Sequence, residues 1–219
     1  TIKDVPGYAT LVQKNAIIAL DDYIKEDKVD LAKYAGATDQ IIVDGSLYQL
    51  PFRNDFWVLF YNKDLFDEMG VDYPTNDLTF EQYDEIARQM TDTSFGSQIY
   101  GTHYHTWRSA VQLFAVLDGE HTILDGEYEF MKPYYELVMN QEADGVCRKY
   151  TDLKAEGLHY AAAFAGGDIA MMNMGSWYIS TMISSLKNGD YDSKLCGNWG
   201  IVKYPHAEGV EAGSTLGTI

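Results

Sequence analysis

Several things that would point to an enzyme or a nucleic-acid-binding protein are scarce or missing. The two cysteines, Cys147 and Cys196, lie far apart with no CxxC spacing. That signals neither a zinc site nor a thioredoxin-like pair, and the two can pair or stay free. Basic residues are few: 16 Lys and Arg face 33 Asp and Glu, for a formal charge of −17. Such a field repels phosphate backbones and anionic membrane surfaces, which argues against nucleic acid as a partner. No run of about 18 apolar residues occurs, so no membrane-spanning helix is expected. A basic, then apolar, then small-residue leader is missing from the start. No G-x-S-x-G, P-loop, G-x-G-x-x-G or H-E-x-x-H motif is found, so nothing marks a catalytic residue or calls for a cofactor.

What is present suits a packed protein of one large or two small domains: 219 residues, 46% of them hydrophobic. The 17 Tyr, 9 Phe and 4 Trp make 14% aromatic, and aromatic faces serve both cores and the apolar faces of sugar rings. Periodicity predicts helix over residues 8 to 34, with Leu11, Ala16, Ile17, Leu20 and Ile24 on one face, interrupted or ended near Asp21-Asp22. A strand is expected from Tyr48 to Tyr61, with Pro51 near its entry. A short helix follows from Lys63 to Met69, stopped by Gly70. Thr79 and Gln82 form a capping-box pair ahead of an apolar stripe at Phe80, Tyr83, Ile86, Ala87 and Met90. Further helices are expected at Trp107–Leu117, Tyr134–Met139, His159–Ala165 and Trp177–Leu186, with a buried strand at Ile169–Met174. This alternation favours an α/β fold.

Three blocks carry a resemblance. Leu50-Pro51 is followed by Tyr61-Asn62-Lys63-Asp64-Leu65-Phe66, then Gly70-Val71-Asp72 with Pro74, then Thr79-Phe80-Glu81. In order and spacing these resemble the family 1 extracellular solute-binding proteins, the sugar-capturing components of ABC importers related to maltose-binding protein. Phe164 to Trp177, FAGGDIAMMNMGSW, is similar to a second family block, and Trp199-Gly200-Ile201-Val202 with Pro205 to a third. The resemblance implies a periplasmic-binding-protein-like α/β fold of two lobes, of which this chain is a middle piece, incomplete at both ends and mostly second lobe. Residues 1 to 56 would then be a partial first lobe, 57 to 212 the second lobe, and 213 to 219 a returning hinge strand. The opening at Thr1 rather than Met fits a processed form or an excised piece.

The implied function is capture of a mono- or oligosaccharide outside the cell, at the cell surface or in the periplasm, by a monomer that delivers it to a membrane permease. In such a fold cleft residues come from strand ends and helix starts. The resemblance thus implies Asp55 as an acceptor for sugar hydroxyls, with Asn54 beside it; the competing reading of Asp55 is a local ion pair with Arg53. Trp177, after Gly175 and Ser176 at a strand-to-helix turn, is placed to stack on a sugar ring, and the alternative is a core Trp. Gly175 and Ser176 can offer backbone N–H groups. Tyr104 and Trp107 precede a helix where a ligand-facing aromatic is expected. His103 and His105 form an H-x-H pair without a carboxylate at helical spacing, so a polar loop rather than a metal site is expected. Two other functions stay open: a glycoside hydrolase with a cleft carboxylate pair, and a binding protein for a non-sugar solute.

Overall fold

A computed structural model of the protein describes residues 5–53, 55–94, 98–117, 120–211 and the backbone of 217–218. Asn54 and most of the expected returning strand at 213–219 lie outside the described residues. Two compact units are present: Thr1–Phe56 with Gly217–Ile219, and Trp57–Leu216.

The smaller unit contains helices α1 (Val5–Gln13) and α2 (Asp21–Glu26) and two 3-10 turns, Leu31–Tyr34 and Asp39–Ile41. Tyr8, Ile41 and Leu47 make its core, with Val12, Ile17 and Ile24 packed against them. The Tyr8 hydroxyl donates to the Ile41 carbonyl at 2.8 Å, so the buried phenol is satisfied. The helical stretch expected over residues 8 to 34 breaks earlier than the interruption expected near Asp21-Asp22: α1 stops at Gln13, and Asp21 instead opens α2. Asn15 and Lys28 take left-handed backbone, with φ of 50° and 53°, and a right-handed helix does not continue through such residues.

Strand β1 (Asp55–Asn62) begins later than the expected Tyr48. Its first two residues pair antiparallel with β5 (Gly217–Thr218), Asp55 opposite Thr218 and Phe56 opposite Gly217. From Trp57 onward it belongs to the larger unit, whose sheet has the order β2-β3-β1-β4, with β2 at Tyr100–His103, β3 at Ile169–Gly175 and β4 at Trp199–Lys203. β2 and β3 run parallel, while β1 is antiparallel to β3 and β4. The carboxyl ends of β2, β3 and β4 thus meet the amino end of β1 at one edge of the sheet. Every residue of β3 is buried, as expected of a central strand covered on both faces, which reads as a continuous apolar run.

The helices are α3 (Lys63–Met69), α4 (Phe80–Gln89), α5 (Ser109–Val116), α6 (Lys132–Ala143), α7 (Tyr150–Glu156), α8 (Tyr160–Ala165), α9 (Trp177–Asn188) and α10 (Ser193–Cys196). Local chemistry sets the ends of two of them. The Asn62 side chain accepts from the Asp64 and Leu65 amides to start α3, and Gly70 ends it. α4 opens on a complete capping box between Thr79 and Gln82. Its apolar stripe is buried through Phe80, Tyr83, Ala87 and Met90. The helix meets β2 closely at Gly101, where any Cβ would fall 1.7 Å from the Ala87 carbonyl oxygen, so no other residue fits there.

A buried polar chain crosses this core. Asn173 of β3 donates to the Tyr83 hydroxyl at 3.1 Å, and Tyr83 hydrogen-bonds Thr102 of β2. Tyr104 donates to Gln141 Oε1 at 2.6 Å, and Gln141 Nε2 donates to Asp84 at 2.7 Å. Arg88 then bridges Asp84 and Asp144. A chain of this kind ties α4, α6 and the sheet into one arrangement, because breaking its inner links at Tyr83, Tyr104 or Gln141 leaves a buried group unsatisfied, while its outer end at Arg88 and Asp144 is exposed.

Candidate functional site

The edge where three strand ends meet the start of β1 gathers the larger unit's aromatic rings. Trp57 lies opposite Gly175 in the β1–β3 register. Its ring stands edge-on to Trp177, the first residue of α9, with centroids 5.5 Å apart. Trp177 is 6.2 Å from Trp107, which is 5.5 Å from Tyr160 and 4.5 Å from His105. His159 and Tyr160 continue the group at 4.0 Å, and Tyr204, just past β4, stands 6.4 Å from Trp57. Trp57 is buried, whereas Trp107 is 42% exposed. The result is a wall of rings supported from the core side and open to solvent at Trp107.

Gly175 makes the wall possible. A Cβ at this position would lie 2.0 Å from the Trp177 ring, so any side chain here would push the indole out of place. Gly175 is buried, and Ser176 is partly exposed at the start of α9. Burial raises the Tyr160 phenol above its usual range, partly offset by a hydrogen bond from the Trp177 indole.

Trp107 was expected to open a helix and instead lies two residues ahead of α5, which begins at Ser109. Tyr104 is buried, with its hydroxyl committed to Gln141 and its ring 6.0 Å from Phe114. Asp55 stands at the start of β1 and forms an ion pair with Arg53 at 3.5 Å, their side chains 17% and 61% exposed. Exposed pairs of this kind are weak. Asn54 lies outside the described residues. Trp57, Tyr160 and His159 were not singled out from sequence. For Trp57 a signal existed, since it follows Asp55 by two residues on the same strand.

His103 and His105 are both buried. Burial lowers His103 to about 3, helped by the nearby His105 and Arg148, and lowers His105 to about 4, helped by His159 and Lys154. Both are neutral near pH 7. Among the described residues no group of three His, Cys, Asp or Glu could hold a metal ion. Both cysteines are free and buried, and burial pushes the Cys147 thiol up to about 12. No helix among the described residues is long and apolar enough to cross a membrane.

Residues 3–218 match the family described as bacterial extracellular solute-binding protein. The chain belongs to that family. This solute-binding protein is 47% identical over its whole length to a sugar transporter from Rhizobium etli solved in an open conformation, with a TM-score of 0.87 and 55% of that chain covered. A second similar structure, CpMnBP1 with mannobiose bound, is 26% identical over 95% of this chain and 53% of its own, with a TM-score of 0.68. An ABC substrate-binding protein from Listeria monocytogenes in complex with cycloalternan shares the fold at 23% identity and a TM-score of 0.74, over 94% of this chain and 51% of its own. The fold is thus the periplasmic-binding-protein-like α/β fold. The chain spans about half the length of the solved structures it matches.

Proposed function

We propose that the protein containing this chain captures a carbohydrate outside the cell and hands it to the membrane permease of an ABC importer. The observation that carries this reading is the aromatic wall of Trp57, Trp107 and Trp177 at the carboxyl ends of the strands, where open α/β sheets bind ligands. Ring faces of this kind suit the apolar faces of pyranoses, and two solved relatives hold mannobiose and cycloalternan.

In this reading Trp107 and Trp177 stack on sugar, while Gly175 and Ser176 hold Trp177 in place and present backbone N–H groups at the start of α9. Asp55 accepts from sugar hydroxyls, with Asn54 assigned beside it on the family resemblance. Tyr104 acts from below by holding the segment that leads to His105 and Trp107. Residues 1 to 56 are part of a first lobe and the larger unit is the second. The protein works as a monomeric carrier rather than a hydrolase, in the periplasm or on the cell surface.

The test is to titrate the full-length protein with a panel of mono- and oligosaccharides and sugar alcohols, following tryptophan fluorescence and melting temperature. A ligand at 100 times its Kd stabilises by about 2.7 kcal/mol. If no sugar or polyol raises the melting temperature or changes the emission, the reading fails.

A further inference from the structure

Behind Trp107 the larger unit contains a cavity of about 350 Å³, which lies between the loop after β2 and helices α5 and α6. It is distinct from the wall but touches it. Trp107 lines the cavity and also stands 6.2 Å from Trp177 and 5.5 Å from Tyr160 at the wall. The volume is near the lower end of small-molecule sites, which run from about 300 to 1,000 Å³, and holds about one sugar ring with its hydroxyls.

The lining is mainly apolar, with a few polar groups set into it, as is common for small-molecule sites. Tyr135, Tyr150 and Trp107 offer rings that are 39%, 50% and 42% exposed. Arg108 and Glu142 also line the space. The Arg108 guanidinium forms no ion pair with the described residues, and Glu142 accepts the Tyr150 amide at 3.0 Å through Oε1, leaving Oε2 available. His105, 8% exposed and also lining the cavity, has a ring nitrogen, Nδ1, without a hydrogen-bond partner. A guanidinium only donates and a carboxylate only accepts, and hydroxyl groups can answer both. A purely apolar ligand would leave these groups desolvated without partners, and an anion would face Glu142.

We propose that this cavity binds a second sugar unit, covalently continuous with the one on the wall, so that the cargo is an oligosaccharide of at least two units. The inference rests on the carbohydrate reading above. Trp107 then acts as the partition between the two subsites, with one ring system contributing to both.

The experiment uses the full-length protein and a ladder of one-, two- and three-unit gluco- and manno-oligosaccharides, measured by titration calorimetry on the parent and two variants. Met139→Trp fills the cavity from a position that is 64% exposed, so folding is not at stake. Tyr135→Ala removes a lining ring. The expected result is that the parent binds the two-unit sugar at least tenfold more tightly than the one-unit sugar, that both variants lose tenfold or more on the longer sugar, and that affinity for the one-unit sugar changes less than twofold. Equal effects on short and long sugars, or no effect on either, overturn the cavity assignment and leave the wall reading standing. Failure of the parent to bind any saccharide overturns both.

Discussion

His103 allows a quantitative test of how the larger unit is built. It closes β2 with 1% exposure, and burial is the main reason its imidazole sits at about 3 rather than near 6.5. The folded protein therefore keeps His103 neutral at pH 5, while the unfolded chain takes up a proton as pH falls through about 6.5. The unfolded state then binds more protons, so stability falls with falling pH over the window from about 6.5 down to about 3. At about 1.36 kcal/mol per pKa unit, the loss between pH 7 and pH 5 is about 2 kcal/mol for this residue. The perturbation is His103→Leu. Neither ring nitrogen has a hydrogen-bond partner among the described residues, so the exchange breaks no protein hydrogen bond. Urea unfolding of parent and variant at pH 7 and pH 5, followed by tryptophan fluorescence, gives the two losses. Taking their difference removes the common contribution of the 33 acidic residues. The parent's loss should exceed the variant's by about 2 kcal/mol. Equal losses would refute the buried neutral state of His103.

Three further outcomes follow from the same structure. Gly175→Ala places a methyl where the Trp177 ring now lies, 2.0 Å away; in the full-length protein it should lower sugar affinity tenfold or more in calorimetry, with a red-shifted tryptophan emission as the indole moves outward. Asp55→Ala should weaken sugar binding by about 1 kcal/mol or more if the carboxylate accepts hydroxyl hydrogen bonds, whereas unchanged affinity with lowered melting temperature would make it structural. Thr79→Ala removes the cap that accepts the Gln82 amide and should destabilise the larger unit by about 1 kcal/mol in urea unfolding, with no change in sugar affinity.

The sequence was most legible where local chemistry decides the structure. α3 and α4 stand where Asn62, Gly70, Thr79 and Gln82 mark their ends, and the apolar run of β3 announced a buried strand. The elements that were missed lack such marks. β2 has only four residues, including Gly101 and His103, so neither alternation nor an apolar run signals it. The break-up of residues 8 to 34 depends on left-handed backbone at Asn15 and Lys28 that helical periodicity does not register. For the site, a Gly-Ser-Trp turn pointed to Trp177, but Trp57 is brought to it by antiparallel pairing across more than a hundred residues of chain. Tyr160 arrives by a helix start that looked like ordinary packing. Convergence of this kind is a property of topology, and local patterns do not contain it.

The distribution of tryptophan has an optical consequence. Three of the four indoles, Trp57, Trp107 and Trp177, form a contiguous set with centroid separations of 5.5 and 6.2 Å. At such distances their strong far-ultraviolet transitions couple, so the far-ultraviolet circular dichroism of the protein should show a split exciton band on top of the peptide signal. Trp199 stands apart, at the opposite end of β4 with its ring 5.8 Å from Phe60. The protein therefore contains its own spectroscopic reference: a ligand that parts the coupled indoles collapses the couplet while the Trp199 signal holds steady.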